Sequence, residues 1–227
     1  MRKWTALMVG SEKRDRVRQL LESEGCTIDQ VYPFFRQILT PALLKSLSSL
    51  HFSEQHITSV QGNLIAKKQE LGKLPLLSQV SVAEYLGYTQ HTLLKDTDQM
   101  SMAVSLEVRE PFFDQDLVEF IMAVPDQLKR SNYPKRLLVE ALKPMLPNEI
   151  VFRKKQGFLF PWKVWLKNEL HAFCDMQIEN MAKRSFIHGD ILRDYWKRFC
   201  NGDEKVRWTE IWLFVVLEYW LANNGME

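Results

Sequence analysis

The chain offers little material for a β-sheet. Alternating runs of Val, Ile and Thr, the usual signature of a half-buried strand, are missing apart from a possible short piece near Leu106 and Val108. Helix starts recur instead, with Thr40 before Pro41 and with Asp114 at positions typical of N-caps. Near the C-terminal end, apolar side chains return at helical spacing: Trp208, Ile211, Trp212, Val215, Tyr219 and Trp220. We therefore predict an all-α fold, an irregular helical bundle.

The composition narrows the classes of protein that fit. The chain has 227 residues and a formal net charge of +2, from 30 Lys and Arg against 28 Asp and Glu, so no overall field indicates nucleic acid or acidic lipid as a partner. Its three cysteines are far apart and odd in number, which is typical of a reducing cytoplasm. The most apolar run, residues 211–221, is too short to cross a bilayer and contains Glu218. We expect a cytoplasmic protein.

The glycines exclude the common nucleotide-binding loops. The nine glycines stand at positions 10, 25, 62, 72, 87, 157, 189, 202 and 225, never fewer than ten residues apart. Loops that hold phosphate on backbone N–H groups need clustered glycines, as in G-x-G or Walker sequences. None of the usual sequence motifs for nucleotide binding is therefore present in these residues.

The first stretch with candidate functional residues is 93–114, LLKDTDQMSMAVSLEVREPFFD. Asp96 and Asp98 stand at a probable helix start, where free N–H groups favour carboxylates. Glu107 and Arg109 follow before Pro111, which ends or kinks a helix. From spacing alone, a capped helix with an ion pair at its end is the favoured interpretation.

The second stretch is 151–166, VFRKKQGFLFPWKVWL. Arg153, Lys154 and Lys155 precede Gly157, and such a short charge run is usually a solvated loop. The functional alternative is a clamp for phosphate or pyrophosphate, because a mobile lysine can neutralise charge on a leaving group. We expect no metal site, since His51 and His56 miss the spacing of a helical metal pair.

Taken together and in order, these stretches resemble the second half of the asparagine synthase domain. The shared pattern is an aspartate pair before MSMA, S-x-E-x-R-x-PF-x-D, a K-x-LL-type helix, LP-x-x-I-x-x-R-x-K-x-GF-x-x-P and a Trp-rich end. The resemblance covers about residues 74–222. It implies a helical lead-in over 1–73 and the C-terminal asparagine-synthase helical region over 74–227, within one compact domain overall.

The resemblance also implies an activity. Members of the family adenylate a carboxylate, typically that of aspartate, with Mg-ATP, and ammonia from glutamine then displaces AMP. By motif match, Lys155 and Glu107 are the expected catalytic residues. Arg109, Arg153 and Asp98 are expected to bind substrate or pyrophosphate, although helix capping suits Asp98 as well, and Asp114 is expected to be structural.

Several family features are missing from these 227 residues. The resemblance predicts a cysteine after the initiator Met, a Ser-Gly-Gly pyrophosphate loop and a Gly-Gly-Asp-Glu-type turn, none of which is present. We therefore expect a C-terminal fragment that is inactive alone, binds no cofactor by itself, and needs the ATP-pyrophosphatase and glutaminase segments in cis or in trans. Glu110 and Phe113 also replace residues that are aliphatic in many members.

Two alternatives remain open. The chain could be a non-catalytic helical interaction module that binds a separate nucleotide-binding partner, or a family ligase acting on a carboxylate other than aspartate. A polar, sealed surface around Lys155 and Arg109 favours the module, whereas an exposed apolar surface beside those residues favours the fragment.

Overall fold

The computed structural model describes residue 21 and residues 25–50, 59–130, 133, 135–143, 145–154, 157 and 160–226. In chain order the helices are α1 (Ile28–Arg36), α2 (Pro41–Leu47), α3 (Ser59–Ala66), α4 (Lys68–Leu71), α5 (Leu76–Glu84), the wide-turn segment (Tyr85–Leu94), α6 (Lys95–Met102), α7 (Gln115–Ala123), α8 (Asp126–Lys129), α9 (Arg136–Leu142), α10 (Asn148–Val151), α11 (Trp162–Trp165), α12 (His171–Met181), α13 (Gly189–Cys200) and α14 (Trp208–Asn223). Within these ranges the only β pairing is a single bridge between Ser48 and Ile187. The all-α prediction is confirmed.

The chain forms two compact units that alternate along the sequence. Of the described residues, 37–50 and 160–226 belong to the first unit, and 25–36 and 59–157 belong to the second. The boundary expected at residue 73 lies inside the second unit.

The core of the first unit lies between α12, α13 and α14, with α2 packed against α13. Its fully buried side chains are aliphatic or aromatic, and they include Leu47, Leu166, Ile178, Leu192, Phe199 and Ile211. Helix α14 is apolar on almost every side, but only one side is buried, since Val216, Tyr219 and Trp220 are 44%, 52% and 51% exposed.

Two buried carboxylates of α14 are paired within this core. The Glu218 carboxylate accepts hydrogen bonds from Nε and Nη2 of Arg184. The Glu218 side chain is 5% exposed and the Arg184 side chain is 11% exposed. Glu210 accepts the Tyr195 hydroxyl at 2.6 Å and the backbone N–H of Arg207 at 2.9 Å. Burial, followed by the hydrogen bond to Glu210, raises the pKa of the Tyr195 hydroxyl, which therefore stays a donor.

A turn at residues 166–170 separates α11 from α12. The turn allows both parts to bury their apolar side chains. Trp162 stacks on Trp208 with ring centroids 5.5 Å apart, while Cys174 and Ile178 of α12 are fully buried in the core.

The second unit is organised around a kink at Gly87, inside the wide-turn segment. The Tyr32 hydroxyl of α1 enters the kink, accepts the backbone N–H of Tyr88 at 3.1 Å and donates to Glu84 at 3.3 Å. A Cβ on residue 87 would lie 2.6 Å from that hydroxyl oxygen, so any larger residue would have to displace the buried Tyr32 ring. Arg36 also pairs with Glu84 and lies over the Tyr88 ring, 4.1 Å from its centroid.

A carboxylate from a distant helix caps α5. The two oxygens of Asp126 accept the backbone N–H of Leu77 and the hydroxyl of Ser78, each at 2.8 Å, and Lys129 Nζ donates to the same hydroxyl at 3.0 Å. Burial acts to raise the pKa of Asp126, but the hydrogen bonds from Ser78 and Leu77 and the charge of Lys129 outweigh burial and lower it. This network fixes the start of α5 and stays ionised at neutral pH.

Within the described ranges, none of the helices combines the length and the apolar character that crossing a bilayer requires.

Candidate functional site

The candidate site begins where α6 ends. The N–H of Leu106 donates to the carbonyl of Ser101, and the N–H of Ser105 donates to that of Met102, each at 3.0 Å. These two bonds, with Ser105 in the left-handed region at φ 59°, form a Schellman cap. A serine at a position that favours glycine stores strain next to the charged residues that follow.

Replacing Ser105 by glycine is expected to stabilise the second unit by about 0.5–1 kcal/mol, because glycine adopts positive φ without the steric cost of a Cβ. Urea unfolding followed by circular dichroism measures the change. Ala103→Gly is the matched control, since residue 103 has an ordinary helical φ of −58° and glycine there should destabilise the unit. Equal effects of the two substitutions would contradict a strained turn at Ser105.

Residues 106–110 leave the cap without regular secondary structure, and within the described ranges they form no β pairing, so the short strand predicted near Leu106 and Val108 is wrong. Glu107 and Arg109 lie on the same side of this segment. Arg109 Nε and Nη2 lie 3.0 and 2.8 Å from Glu107 Oε1. The ion pair expected at the end of the helix is therefore present. Its side chains are 69% and 87% exposed, so it contributes little stability and both groups can reach a ligand.

Large apolar side chains flank this ion pair in the sequence and face solvent. Val104, Leu106 and Phe112 are each more than half exposed, and Val108 is 43% exposed. On α6, Met100 and Met102 are exposed as well. We call these six residues the apolar surface of the site. An apolar surface of this kind beside a charged pair is typical of a surface that another segment covers.

The end of segment 106–110 that leads into Pro111 is held by packing and by a helix cap. Residues Pro111–Phe113 form one 3₁₀ turn, and Phe113 packs edge-on against Tyr85 of the wide-turn segment with centroids 5.9 Å apart. Asp114 caps α7, because its Oδ1 accepts the N–H of Leu117 at 3.1 Å. The cap predicted for Asp114 is present, and it fixes the direction in which the chain leaves the site.

The basic stretch lies after α10. Arg153 and Lys154 are exposed, and the preceding Phe152 packs against Tyr133 with centroids 5.9 Å apart. Lys155, the residue expected to meet pyrophosphate, lies outside the described residues. Its assignment stays a prediction.

The structure brings together only part of the predicted set. Glu107 and Arg109 are in contact, whereas the described contacts join neither residue to Asp98 or Arg153. Asp98 is exposed and lies inside α6, which continues from the wide-turn segment without free N–H groups at its start. The helix start predicted at Asp96 and Asp98 is therefore wrong. Within the described residues no three His, Cys, Asp or Glu side chains form a group that could hold a metal ion.

Sequence reasoning missed the contacts that position this region. Tyr32, Arg36 and Glu84 hold the kink that directs the wide-turn segment and α6, and they border a cavity of about 580 Å³ between α1 and α5. Gly87 was the available signal, since an isolated glycine within a helical pattern often marks a close approach. The partner of that glycine comes from a distant part of the chain and could not be identified from spacing.

These motifs and this helical architecture have a family counterpart. The asparagine synthase family model matches residues 7–222, so the match extends well before residue 74. The chain belongs to the asparagine synthase family.

Individual relatives match shorter stretches. The chain is 32% identical over 133 residues to asparagine synthetase [glutamine-hydrolyzing] 1 of Bacillus subtilis, covering 58% of this chain and 21% of that protein. It is 45% identical over 67 residues to asparagine synthetase 3 of the same organism, covering 29% and 11%. It is 33% identical over 118 residues to amidase chyE of Penicillium rubens, covering 46% and 18%. The chain thus spans about a fifth or less of each of these relatives, and no solved structure matches it.

Proposed function

We propose that these residues are the helical C-terminal part of an ATP-dependent amide ligase of the asparagine synthase type. In such a ligase a substrate carboxylate is adenylated with release of pyrophosphate, and ammonia derived from glutamine then displaces AMP. Family membership and the names of the two Bacillus relatives, both glutamine-hydrolysing synthetases, support this proposal.

The observation that carries the proposal is the apolar surface around Glu107 and Arg109. Val104 is 74% exposed and Phe112 is 61% exposed, next to an ion pair that is itself open to solvent. A surface of this composition is normally covered in a working protein. We infer that a nucleotide-binding segment, in cis or in trans, closes over it and completes the site. This surface argues against a helical module whose charged residues are sealed in a polar surface.

The proposed roles come from the motif match to the family, and the charges of the residues are consistent with them. Adenylation leaves pyrophosphate as an anionic leaving group, and a lysine that closes on it stabilises the developing charge, which is the role proposed for Lys155. Arg109 and Arg153 are the further cations proposed to bind substrate or pyrophosphate. Glu107 is the proposed catalytic carboxylate, because an ionised carboxylate can accept the proton that ammonia loses when it becomes an amide. Asp98, on α6, is proposed to bind substrate or pyrophosphate.

ATP and Mg²⁺ are the proposed cofactors of the assembled ligase. Among the described residues no three His, Cys, Asp or Glu side chains lie together, so these residues form no complete protein-ligand set for a metal ion. We therefore propose that metal ligands also come from the nucleotide-binding segment. Because the glycines of this chain are dispersed, we propose that the phosphate-binding loop also lies in that segment.

The proposed substrate is a small carboxylate, with aspartate as the first candidate. The likeness to a Penicillium protein named an amidase favours testing other carboxylates too. Glu110 is exposed beside Arg109 and adds a negative charge at the edge of the site, so substrates with a single carboxylate should be tested alongside aspartate.

Isothermal titration calorimetry of the 227-residue chain with Mg-ATP is expected to show no binding heat. The physical reason is that these residues contain none of the backbone loops that hold phosphates. Lys155→Ala should behave identically. Micromolar binding that weakens in the variant would contradict the proposal, because the chain would then build a nucleotide site alone.

In the assembled ligase, Lys155→Ala is expected to lower the rate of carboxylate-dependent ATP–pyrophosphate exchange about 100-fold, the usual effect of removing one group that stabilises transition-state charge. Lys154→Ala is the matched control and should change the rate by less than about threefold, as a solvated neighbouring cation does. Equal loss in both variants would indicate a general electrostatic effect instead of a specific role for Lys155.

A further inference from the structure

A cavity of about 230 Å³ lies in the first unit, between α12 and α13. The side chains that line it are charged or can form hydrogen bonds: His171, Asp175, Glu179, Arg193, Trp196, Lys197, Cys200 and Asn201. The three from α12 recur every four residues and therefore share one face of that helix. The two walls differ in charge, because α12 contributes the carboxylates and α13 contributes the cations.

Contacts between the two helices hold the walls of this cavity in place. Arg193 Nε lies 3.1 and 3.0 Å from the two carboxylate oxygens of Glu179. Asp175, one turn earlier on α12, accepts the indole N–H of Trp196 on Oδ1 at 2.9 Å. Trp196 is 5% exposed, and its ring centroid lies 5.4 Å from that of His171. The buried indole thus forms the base of the cavity, and the Asp175 carboxylate reaches across it to α13.

One acid and one base that line this cavity do not pair with each other. In the part of the chain that the structure describes, no carboxylate oxygen lies within 4.0 Å of Lys197 Nζ, so Lys197 forms no ion pair there. Asp175 uses Oδ1 for the indole, and its Oδ2 accepts no hydrogen bond from the same described residues. Both residues are exposed, so a ligand from solvent can reach them. Opposite charges therefore line a common space without neutralising each other.

A zwitterion is the ligand that matches this pair of charges. Its ammonium group can donate to Asp175 Oδ2, and its carboxylate can accept from Lys197 Nζ. A simple anion is disfavoured because the carboxylates of Asp175 and Glu179 would repel it, and a simple cation is disfavoured because Lys197 would repel it. The cavity has the volume of about seven water molecules, which suits an α-amino acid with a short side chain.

We propose that the cavity between α12 and α13 binds a small α-amino acid, whose ammonium group contacts Asp175 and whose carboxylate contacts Lys197. All residues that line the cavity belong to the first unit, and none of them is among the residues proposed for the ligase reaction. The inference therefore does not rest on the proposed function.

Titration of the 227-residue chain with alanine, followed by ¹H–¹⁵N NMR of the tryptophan indole groups, tests the proposal. The chain has seven tryptophans, so the indole region of the spectrum is simple. The Trp196 signal is expected to move and to saturate, because its N–H is bonded to the carboxylate that binds the ligand. This signal is identified as the one that moves most in Asp175→Asn, whose amide oxygen can still accept the indole N–H.

Two analogues and two variants then show which charge binds which group. Alanine methyl ester lacks the carboxylate, and N-acetylalanine lacks the ammonium group. Asp175→Asn should weaken alanine and the ester about fivefold each and leave N-acetylalanine unchanged, since one exposed ion pair is lost. Lys197→Gln should weaken alanine and N-acetylalanine about fivefold each and leave the ester unchanged. Asp194→Asn, at an exposed acid of α13 that does not line the cavity, is the matched control and should change none of them.

Three results would overturn the proposal. The first is a Trp196 signal that does not move, or moves without saturating, up to the solubility of alanine. The second is equal binding of alanine and both analogues, since the cavity would then not recognise the two charges. The third is a variant that weakens all three ligands equally, or not at all, while circular dichroism shows that it is folded. None of these measurements involves ATP or pyrophosphate, so the proposed function is judged separately.

Discussion

Arg184→Ala is expected to destabilise the first unit by about 3–5 kcal/mol, the usual cost of removing one partner from a buried ion pair. The guanidinium contacts both oxygens of Glu218, and the two side chains are 11% and 5% exposed. Alanine would leave the Glu218 carboxylate in the core without a counter-charge. Arg184 Nη1 also donates to the carbonyl of Met226 at 2.7 Å, so the end of the chain would lose a contact as well. Urea unfolding followed by the fluorescence of the α14 tryptophans measures the loss.

A double variant separates the orphaned charge from lost packing. Arg184→Met combined with Glu218→Leu removes both charges and fills similar volume, so it should recover most of the stability lost in Arg184→Ala. If the double variant is as unstable as the single one, packing by the arginine stem is the main contribution. A loss below about 1 kcal/mol in the single variant would show that water reaches Glu218, as at an exposed pair.

Gly189→Ala is expected to cost about 3 kcal/mol, at the upper end of the usual cost of overpacking. A Cβ at residue 189 would lie 2.1 Å from the backbone carbonyl oxygen of Ala182, and a backbone atom cannot move aside as a flexible side chain can. The start of α13 would have to shift away from the end of α12. The loss should appear even though alanine is the better helix former by about 1 kcal/mol.

The neighbouring residue provides the control for this steric effect. Asp190 is in the same first turn of α13, and its side chain is fully exposed beside Arg193. Asp190→Ala should therefore change the free energy of unfolding by less than about 0.5 kcal/mol, as surface substitutions usually do. Thermal unfolding of both variants gives the comparison, and similar losses would mean that the first turn of α13, not the contact with Ala182, sets the cost.

The features that could be predicted from the sequence depend on local chemistry. Thr40 caps α2, where its hydroxyl oxygen accepts the N–H of Leu43 at 3.2 Å, and Asp114 caps α7 in the same way. The Glu107–Arg109 ion pair joins residues only two apart, so its formation also follows from the local sequence. The helical spacing of apolar residues and the N-cap residues were sufficient to predict the all-α fold class, because each of these signals acts within one or two helical turns.

The features that could not be predicted depend on distant residues. The cap of α5 comes from Asp126, and the kink at Gly87 depends on Tyr32. The break between α11 and α12 places Trp162 against Trp208. No pattern within a single helix contains such information, since each feature is decided by packing between elements. For the same reason the sequence does not fix how Arg153 lies relative to Glu107.

The alternation of the two units along the chain has a consequence for synthesis on the ribosome. The Ser48 hydroxyl donates to the carbonyl of Phe186, a partner 138 residues later. At translation rates of about 5–20 residues per second, α2 must wait roughly 7–28 s before that partner is made. The whole described part of the second unit that follows α2 is synthesised in this interval, so it can fold first while the apolar side of α2 stays uncovered. Nascent chains of this protein therefore pass through a period in which Leu47, fully buried at the end, is accessible to chaperones.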